Sequence, residues 1–222
     1  NVFLQKTLPE HNFISGQFLS GIKSKTMQSN ADLFEIAKSI REDKDLSYTV
    51  LVVPAPFLMQ ALRDHEKGSE TVAAIDHYLE KYGHQGYSMD FIEPTQIEDP
   101  SALFASLKAM VRDKDYHPDN QSKKTAAIRE QKTREITDLL SGLEYWQLRF
   151  RLWLARKYNY IREEVAFLFG YTWSILRPMA FELGQRLVAA GIFGRPDDIF
   201  FLNSHEITEA IMARTQNATD TK

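Results

Sequence analysis

The 222-residue sequence predicts a mainly α-helical domain with little or no sheet, and three observations carry that prediction. Apolar residues recur in steps of three and four through most of the chain, the spacing that lines one side of a helix. Two of the stripes are long and rich in aromatic residues, one over about 122–158 and one over about 160–190. Most glycines and prolines fall between the stripes, and only one short segment favours a strand.

Residues 1–29 read as an irregular lead-in, because Gly16, Gly21 and several serines interrupt Phe13, Ile14, Phe18 and Leu19. Asn30 and Asp32 are candidate caps for a helix carrying Leu33, Ile36, Ala37 and Ile40. Tyr48 to Val53 is β-prone and is stopped by Pro54 and Pro56, so it reads as a short strand or an extended lead into the next helix. Pro56 suits the first turn of a helix running to His65, and a further helix follows from about Glu70 to Tyr82. Gly83 ends that helix in the manner of a left-handed cap.

Residues Gly83 to Asp99 form a structured loop, and Asp99-Pro100-Ser101 opens a helix bearing Leu103, Phe104, Leu107 and Met110. The first long stripe then runs Ile136, Leu139, Leu143, Trp146, Phe150 and Trp153, with Gly142 its weak point. The second runs Ile161, Val165, Leu168, Thr172, Ile175, Met179, Leu183 and Leu187, bends at Pro178 and stops at Gly191. A connection near Tyr158 to Tyr160 folds the two into a hairpin, with one continuous helix as the alternative. The tail, 215–222, is polar and reads as frayed.

Composition narrows the function classes. Lys and Arg number 27 against 30 Asp and Glu, so no overall field draws the chain to nucleic acid or anionic lipid. The absence of cysteine excludes disulfides and thiol chemistry and fits a cytoplasmic setting. No apolar run approaches the roughly 20 residues of a membrane span. The histidines lack metal-ligand spacing, and no glycine-rich phosphate loop, nucleophile elbow or dinucleotide fingerprint is present. The chain opens on Asn1 and an apolar triplet, which reads as a piece of a longer multidomain protein acting here as one domain over 1–222.

Three groups of residues carry candidate chemistry. His84 lies between Gly83 and Gln85-Gly86, where the glycines allow a loop to bring an imidazole to a ligand or to cap the preceding helix. Tyr87, Asp90 and Glu93 are nearby. Arg149, Arg151, Arg156, Arg162 and Arg177 stand among large aromatics, where a guanidinium either clamps a phosphate or carboxylate or pairs with a glutamate along the helix. The aromatics themselves exceed one helix face and serve core, pocket or interface.

Several motifs in order resemble a known group. Tyr78-Leu79-Glu80-Lys81-Tyr82-Gly83-His84-Gln85-Gly86 and Ile97-Glu98-Asp99-Pro100 are similar to a "yGHRG … EDP" element. Arg162-Glu163-Glu164, Arg177-Pro178, Leu183-Gly184-Gln185-Arg186-Leu187 and Asp197-Asp198-Ile199-Phe200-Phe201-Leu202 are similar to the closing helices and exit of the same domain. That domain is the middle, acceptor-binding part of phosphoenolpyruvate-synthase-like enzymes, the group that includes rifampin phosphotransferases. The resemblance implies an ATP-dependent phosphotransferase or natural-product condensing enzyme as parent, with this part inactive alone. It also implies a small-molecule acceptor as partner, with ATP, magnesium and a phosphohistidine supplied by ATP-grasp and swivelling domains elsewhere.

Under that resemblance the substrate-binding residues are His84, Gln85, Tyr87, Arg162 and Arg177, with no catalytic residue, cofactor or metal site assigned to this chain. Gln85 stands where the pattern has arginine, which removes a charge from the loop and leaves room for an acceptor other than rifampin-like antibiotics. The alternative function is a non-catalytic helical interaction module using the surplus aromatics.

Overall fold

A computed structural model describes residues 2–8, 14–22, 24–86 and 90–220, so Tyr87 and part of the lead-in lie outside the described residues. Helices account for the fold, and among the described residues the only strand-like pairing is an isolated antiparallel bridge between Gly86 and Thr95. The chain divides into two compact units, Asn1–Tyr78 with Leu103–Phe167, and Leu79–Ala102 with Leu168–Lys222.

The first unit begins with α1 (Val2–Thr7) and a 3-10 turn at Ser15–Phe18. Helix α2 (Lys25–Glu42) starts earlier than Asn30 because Ser24 is the cap, its hydroxyl accepting from the Met27 amide at 3.2 Å. Leu33, Phe34, Ile36, Ala37 and Ile40 form its buried side. Arg41 near its end donates Nε to the Met110 carbonyl at 3.1 Å and Nη2 to that of Asp113 at 2.5 Å. These bonds tie the end of α2 to the carbonyls at the C-terminal end of the helix over Ser101–Arg112.

The expected short strand at Tyr48 to Val53 is instead helical. Asp43 decides this: its carboxylate accepts from the amides of Asp45 and Leu46 at 2.9 and 3.0 Å and starts α3 (Lys44–Val52). Leu46 and Val50, four residues apart, are then buried together, so capping and packing override β-propensity. Lys67 reaches the same Asp43 at 2.6 Å, and that bond, with the cap bonds, lowers the Asp43 pKa to about 2. Helices α4 (Ala55–Asp64), α5 (Ser69–Tyr82) and α6 (Ser101–Arg112) follow closely where the periodicity places them.

Two long helices are present, but they divide at 138–141 rather than near Tyr158. Helix α7 (Pro118–Thr137) ends in a tightened turn, with Leu139 and Leu140 bonded back to Ile136 and Thr137 at 3.1 and 3.3 Å. Leu140 turns inward against Leu4, Phe18, Ile136 and Leu148, which fixes the break. Gly142, at φ +54°, supplies a backbone that side-chain-bearing residues resist, and α8 (Gly142–Ala189) begins there. Nothing between Tyr158 and Tyr160 breaks a helix, so α8 runs unbroken for 48 residues, through Pro178.

The second unit holds the latter part of α8, a 3-10 turn at Pro196–Phe201 and α9 (Ser204–Asp220). Helix α8 closes as the sequence indicates: Gly191 adopts φ +71° and Ile192 donates to the Leu187 carbonyl at 2.9 Å. Leu187, Ile199 and Ala210 form the core of this unit, with Leu183, Phe193, Phe200 and Ile207 around them. Gly184 is required by close approach, since a Cβ there would lie 2.1 Å from the Pro196 carbonyl oxygen.

Candidate functional site

In the second unit the loop after α5 is built by backbone pairing. Ile97 donates to the Gly83 carbonyl and Gln96 to that of Gln85, each at 3.0 Å, holding residues 83–86 beside 95–97. Gly83 does not adopt the left-handed conformation expected of it. It is glycine because a Cβ would lie 2.4 Å from the Leu79 oxygen and 2.5 Å from Ile97 Cγ1. This seats His84 inside: it is 2% exposed and its ring stacks on Tyr171 of α8 with centroids 3.6 Å apart and planes 14° from parallel. Gly170, one residue before Tyr171, makes room, because a Cβ would approach His84 Cδ2 to 3.1 Å.

Arg177 is the hub of the same unit. It is 2% exposed, and its Nε donates to both oxygens of Glu98, at 2.8 and 3.1 Å. Nη1 donates to the Phe91 carbonyl, and the guanidinium lies over the rings of Phe200 and Phe181 at 4.9 and 5.5 Å. Glu98 Oε2 also accepts from the Thr95 amide and hydroxyl at 2.8 and 2.9 Å. Burial alone would raise the Glu98 carboxyl, but the bonds from Arg177 and Thr95 outweigh it and hold the pKa below its ordinary value. Asp99 accepts from the Ser101 amide at 3.0 Å and starts α6. Three of the motifs quoted above, Glu98-Asp99-Pro100, Arg177-Pro178 and the segment containing Phe200, therefore converge on one guanidinium.

The other nominated residues are placed differently. Gln85 is half-buried in the paired loop, and Tyr87 lies outside the described residues. Arg162 belongs to the first unit, where it is exposed and bonds to the neighbouring Glu163 at 2.8 Å. His84 and Arg177 thus share a unit, and Arg162 belongs to the other. Glu98 and Gly170 complete the arrangement; the ordered motifs carry a signal for Glu98, and Gly170 has none in the sequence.

The first unit contains two concavities along α8. One, of about 610 Å³, is apolar and is walled by Phe3, Phe18, Leu148, Leu154 and Tyr158. Arg151 lies at its edge with its guanidinium 4.9 Å from the Phe3 ring. The other, of about 790 Å³, opens between α7 and α8. Positions 145, 149, 152, 153, 156, 157 and 160 lie on one side of α8 by helical spacing, and 130, 133, 134 and 137 on one side of α7. Helical spacing thus collects Arg134, Arg149, Arg156 and Lys157 in one groove. Among the described residues no group of three or more His, Cys, Asp or Glu side chains is gathered to hold a metal ion.

Comparison with known proteins gives this arrangement a family context. A protein described as uncharacterized phosphotransferase YvkC, from Bacillus subtilis (strain 168), is 22% identical over 199 residues, which is 88% of this chain and 24% of that protein. Chondramide synthase cmdD of Chondromyces crocatus is 24% identical over 199 residues, which is 86% of this chain and 5% of that protein. The chain therefore spans only a small part of either relative. A family model described as the rifampicin phosphotransferase fourth domain matches residues 1–163, which include both concavities. By that match the chain belongs to the rifampicin phosphotransferase fourth-domain family.

Proposed function

We propose that this chain is the acceptor-binding part of a phosphoenolpyruvate-synthase-like phosphotransferase or condensing enzyme, with phosphate brought to the acceptor by a phosphohistidine on another part of the parent protein. The observation that supports it most is the apolar concavity of about 610 Å³, which lies in the family-matched region and is bounded by aromatic and aliphatic side chains with a cation at its edge. That combination suits a largely apolar small molecule bearing a few polar groups. ATP and magnesium belong, in this reading, to other domains of the parent.

His84 and Arg177 both belong to the second unit and are buried, so under this reading they are positioning residues within that unit. Arg177 is engaged by Glu98 and Phe91, so it orders the loop that carries Gln85 rather than offering a free charge.

Titrating the intact 222-residue chain with rifampicin, followed by tryptophan fluorescence, tests the proposal. Saturable binding that weakens about tenfold in Leu154→Asp, with the circular dichroism spectrum unchanged, is the expected result. Leu154 is half exposed, so the charge reaches the cavity without entering the core. Sustained ATP hydrolysis by this chain alone overturns the reading.

A second reading has its own support. Leu143, Trp146 and Phe150 are 73%, 67% and 62% exposed along the start of α8, a surface suited to another protein. Sedimentation showing self-association that Trp146→Glu abolishes, together with no small-molecule binding, favours an interaction module instead.

A further inference from the structure

We infer that the groove between α7 and α8 is an oxyanion-binding site, which takes the phosphate or carboxylate of an aromatic molecule. Its lining holds four cationic side chains, Arg134, Arg149, Arg156 and Lys157, against the single carboxylate of Glu130. The chain as a whole carries a net charge of −3, so this concentration of positive charge is local.

Cations on a helix surface ordinarily find a carboxylate three or four residues away, as Lys132 does with Glu135 at 2.7 Å. The groove cations do not. Arg149 donates to the Tyr145 hydroxyl at 2.8 Å, and Arg156 to the Phe18 carbonyl at 3.3 Å and the Thr133 hydroxyl at 2.9 Å. Those partners are neutral, so they orient the guanidinium groups and leave their charge in place. Arg134 and Lys157 have no ion pair among the described residues. Glu130 lies 3.9 Å from Arg129 and offsets Arg156 only in part, since burial and Arg129 together still lower the Arg156 pKa.

Arg129 sharpens the point. It is held over the first unit's lead-in by the carbonyls of Ser20 and Gly21 at 3.0 and 2.8 Å, which fixes a second guanidinium behind Arg156. Burial first, and then Arg129, lower the Arg156 pKa. An oxyanion in the groove relieves both, because it restores solvation and offsets the repulsion. Tyr145, Trp153 and Tyr160 supply aromatic faces in the same lining, which selects a planar apolar body attached to the anion.

The test compares 1-naphthyl phosphate, 1-naphthoate and neutral 1-naphthol by isothermal titration calorimetry on the intact chain. At least one anionic probe binds about tenfold or more tightly than the alcohol, and the difference shrinks as salt rises from about 50 to about 500 mM. The double variant Arg134→Gln, Arg149→Gln, at two exposed positions, brings the anionic probes to within about twofold of the alcohol. Inorganic phosphate competing with naphthyl phosphate identifies phosphate as the recognised group; competition by acetate identifies carboxylate, and either supports the inference. Equal affinities for all three probes, no binding of any, or anion binding that survives the double variant overturns it. The inference is separate from the acceptor reading, because rifampicin binding in the Leu154 cavity is expected to be unchanged in the double variant.

Discussion

Arg177 and Glu98 form a bifurcated contact, with the one Nε–H of the buried arginine 2.8 and 3.1 Å from the two carboxylate oxygens. The arginine side chain is 3% exposed and the glutamate 29%, so the pair is shielded from solvent mainly on the arginine side. Removing either partner leaves the other poorly solvated, and removing Glu98 strands the more deeply buried charge.

Glu98→Gln is therefore expected to destabilise the protein by about 2–4 kcal/mol, measured by urea unfolding. Arg177→Lys falls in the same direction, because an ammonium cannot reproduce the fork of bonds to Glu98 and Phe91. Unfolding midpoints within error of the parent protein would show that the contact is not structural.

The same contact sets an acid dependence. The Glu98 pKa is lowered in the folded state, so its contribution is fully present above the unfolded carboxyl pKa of about 4.3 and is lost as pH falls through the folded value. Asp43, lowered to about 2, behaves alike over a window reaching further into acid. Stability measured from pH 6 downwards is expected to fall below about pH 4, and the slope flattens in Glu98→Gln and in Asp43→Asn.

Two glycines separate steric from backbone demands. At Gly184 an added Cβ meets the Pro196 oxygen at 2.1 Å, whereas at Gly142 it meets nothing within 4 Å but the backbone has φ +54°. Gly184→Ala is expected to cost about 1–3 kcal/mol, through displaced packing. Gly142→Ala costs about 1–2 kcal/mol, through strain alone. Substituting Asn at both sites distinguishes them: Asn tolerates the left-handed region and recovers part of the loss at 142, with no recovery at 184.

The continuity of α8 has a direct test. Asn159→Pro lies within the helix and removes a backbone bond, so a loss of about 3 kcal/mol is expected in thermal or urea unfolding. A hairpin turn at that position would accept proline with little change.

The sequence made the helical class and several helices legible because apolar spacing records which side is buried. Helices α5 and α6 emerged close to their true bounds for that reason. The break between the long helices did not emerge, because the apolar stripe continues through Leu139 and Leu143, both exposed in the structure. What breaks the helix is the inward turn of Leu140, set by tertiary packing, together with the left-handed Gly142, which the sequence shows only as a weak point in the stripe. At the site, His84 and Arg177 were visible as residue types in ordered motifs, but the bond from Arg177 to Glu98 spans 79 positions and has no local signature. The groove cations were only partly visible: Arg149 and Arg156 stood out beside aromatics, whereas Arg134 and Lys157 join them only once α7 and α8 are laid side by side.

Glu98 accepts from the Thr95 amide and from Arg177 at once, so the loop and the helix share one acceptor. Segments tied in this way do not open separately. The amide protons of Thr95, Gln96 and Ile97 are thus expected, in hydrogen-exchange measurements, to share the slow clock of the helix around Arg177, although they lie in a connection between helices. Residues 95–97 are then a fixed part of the scaffold rather than a moving flap, and Gln85, paired to them, is held in one constant position.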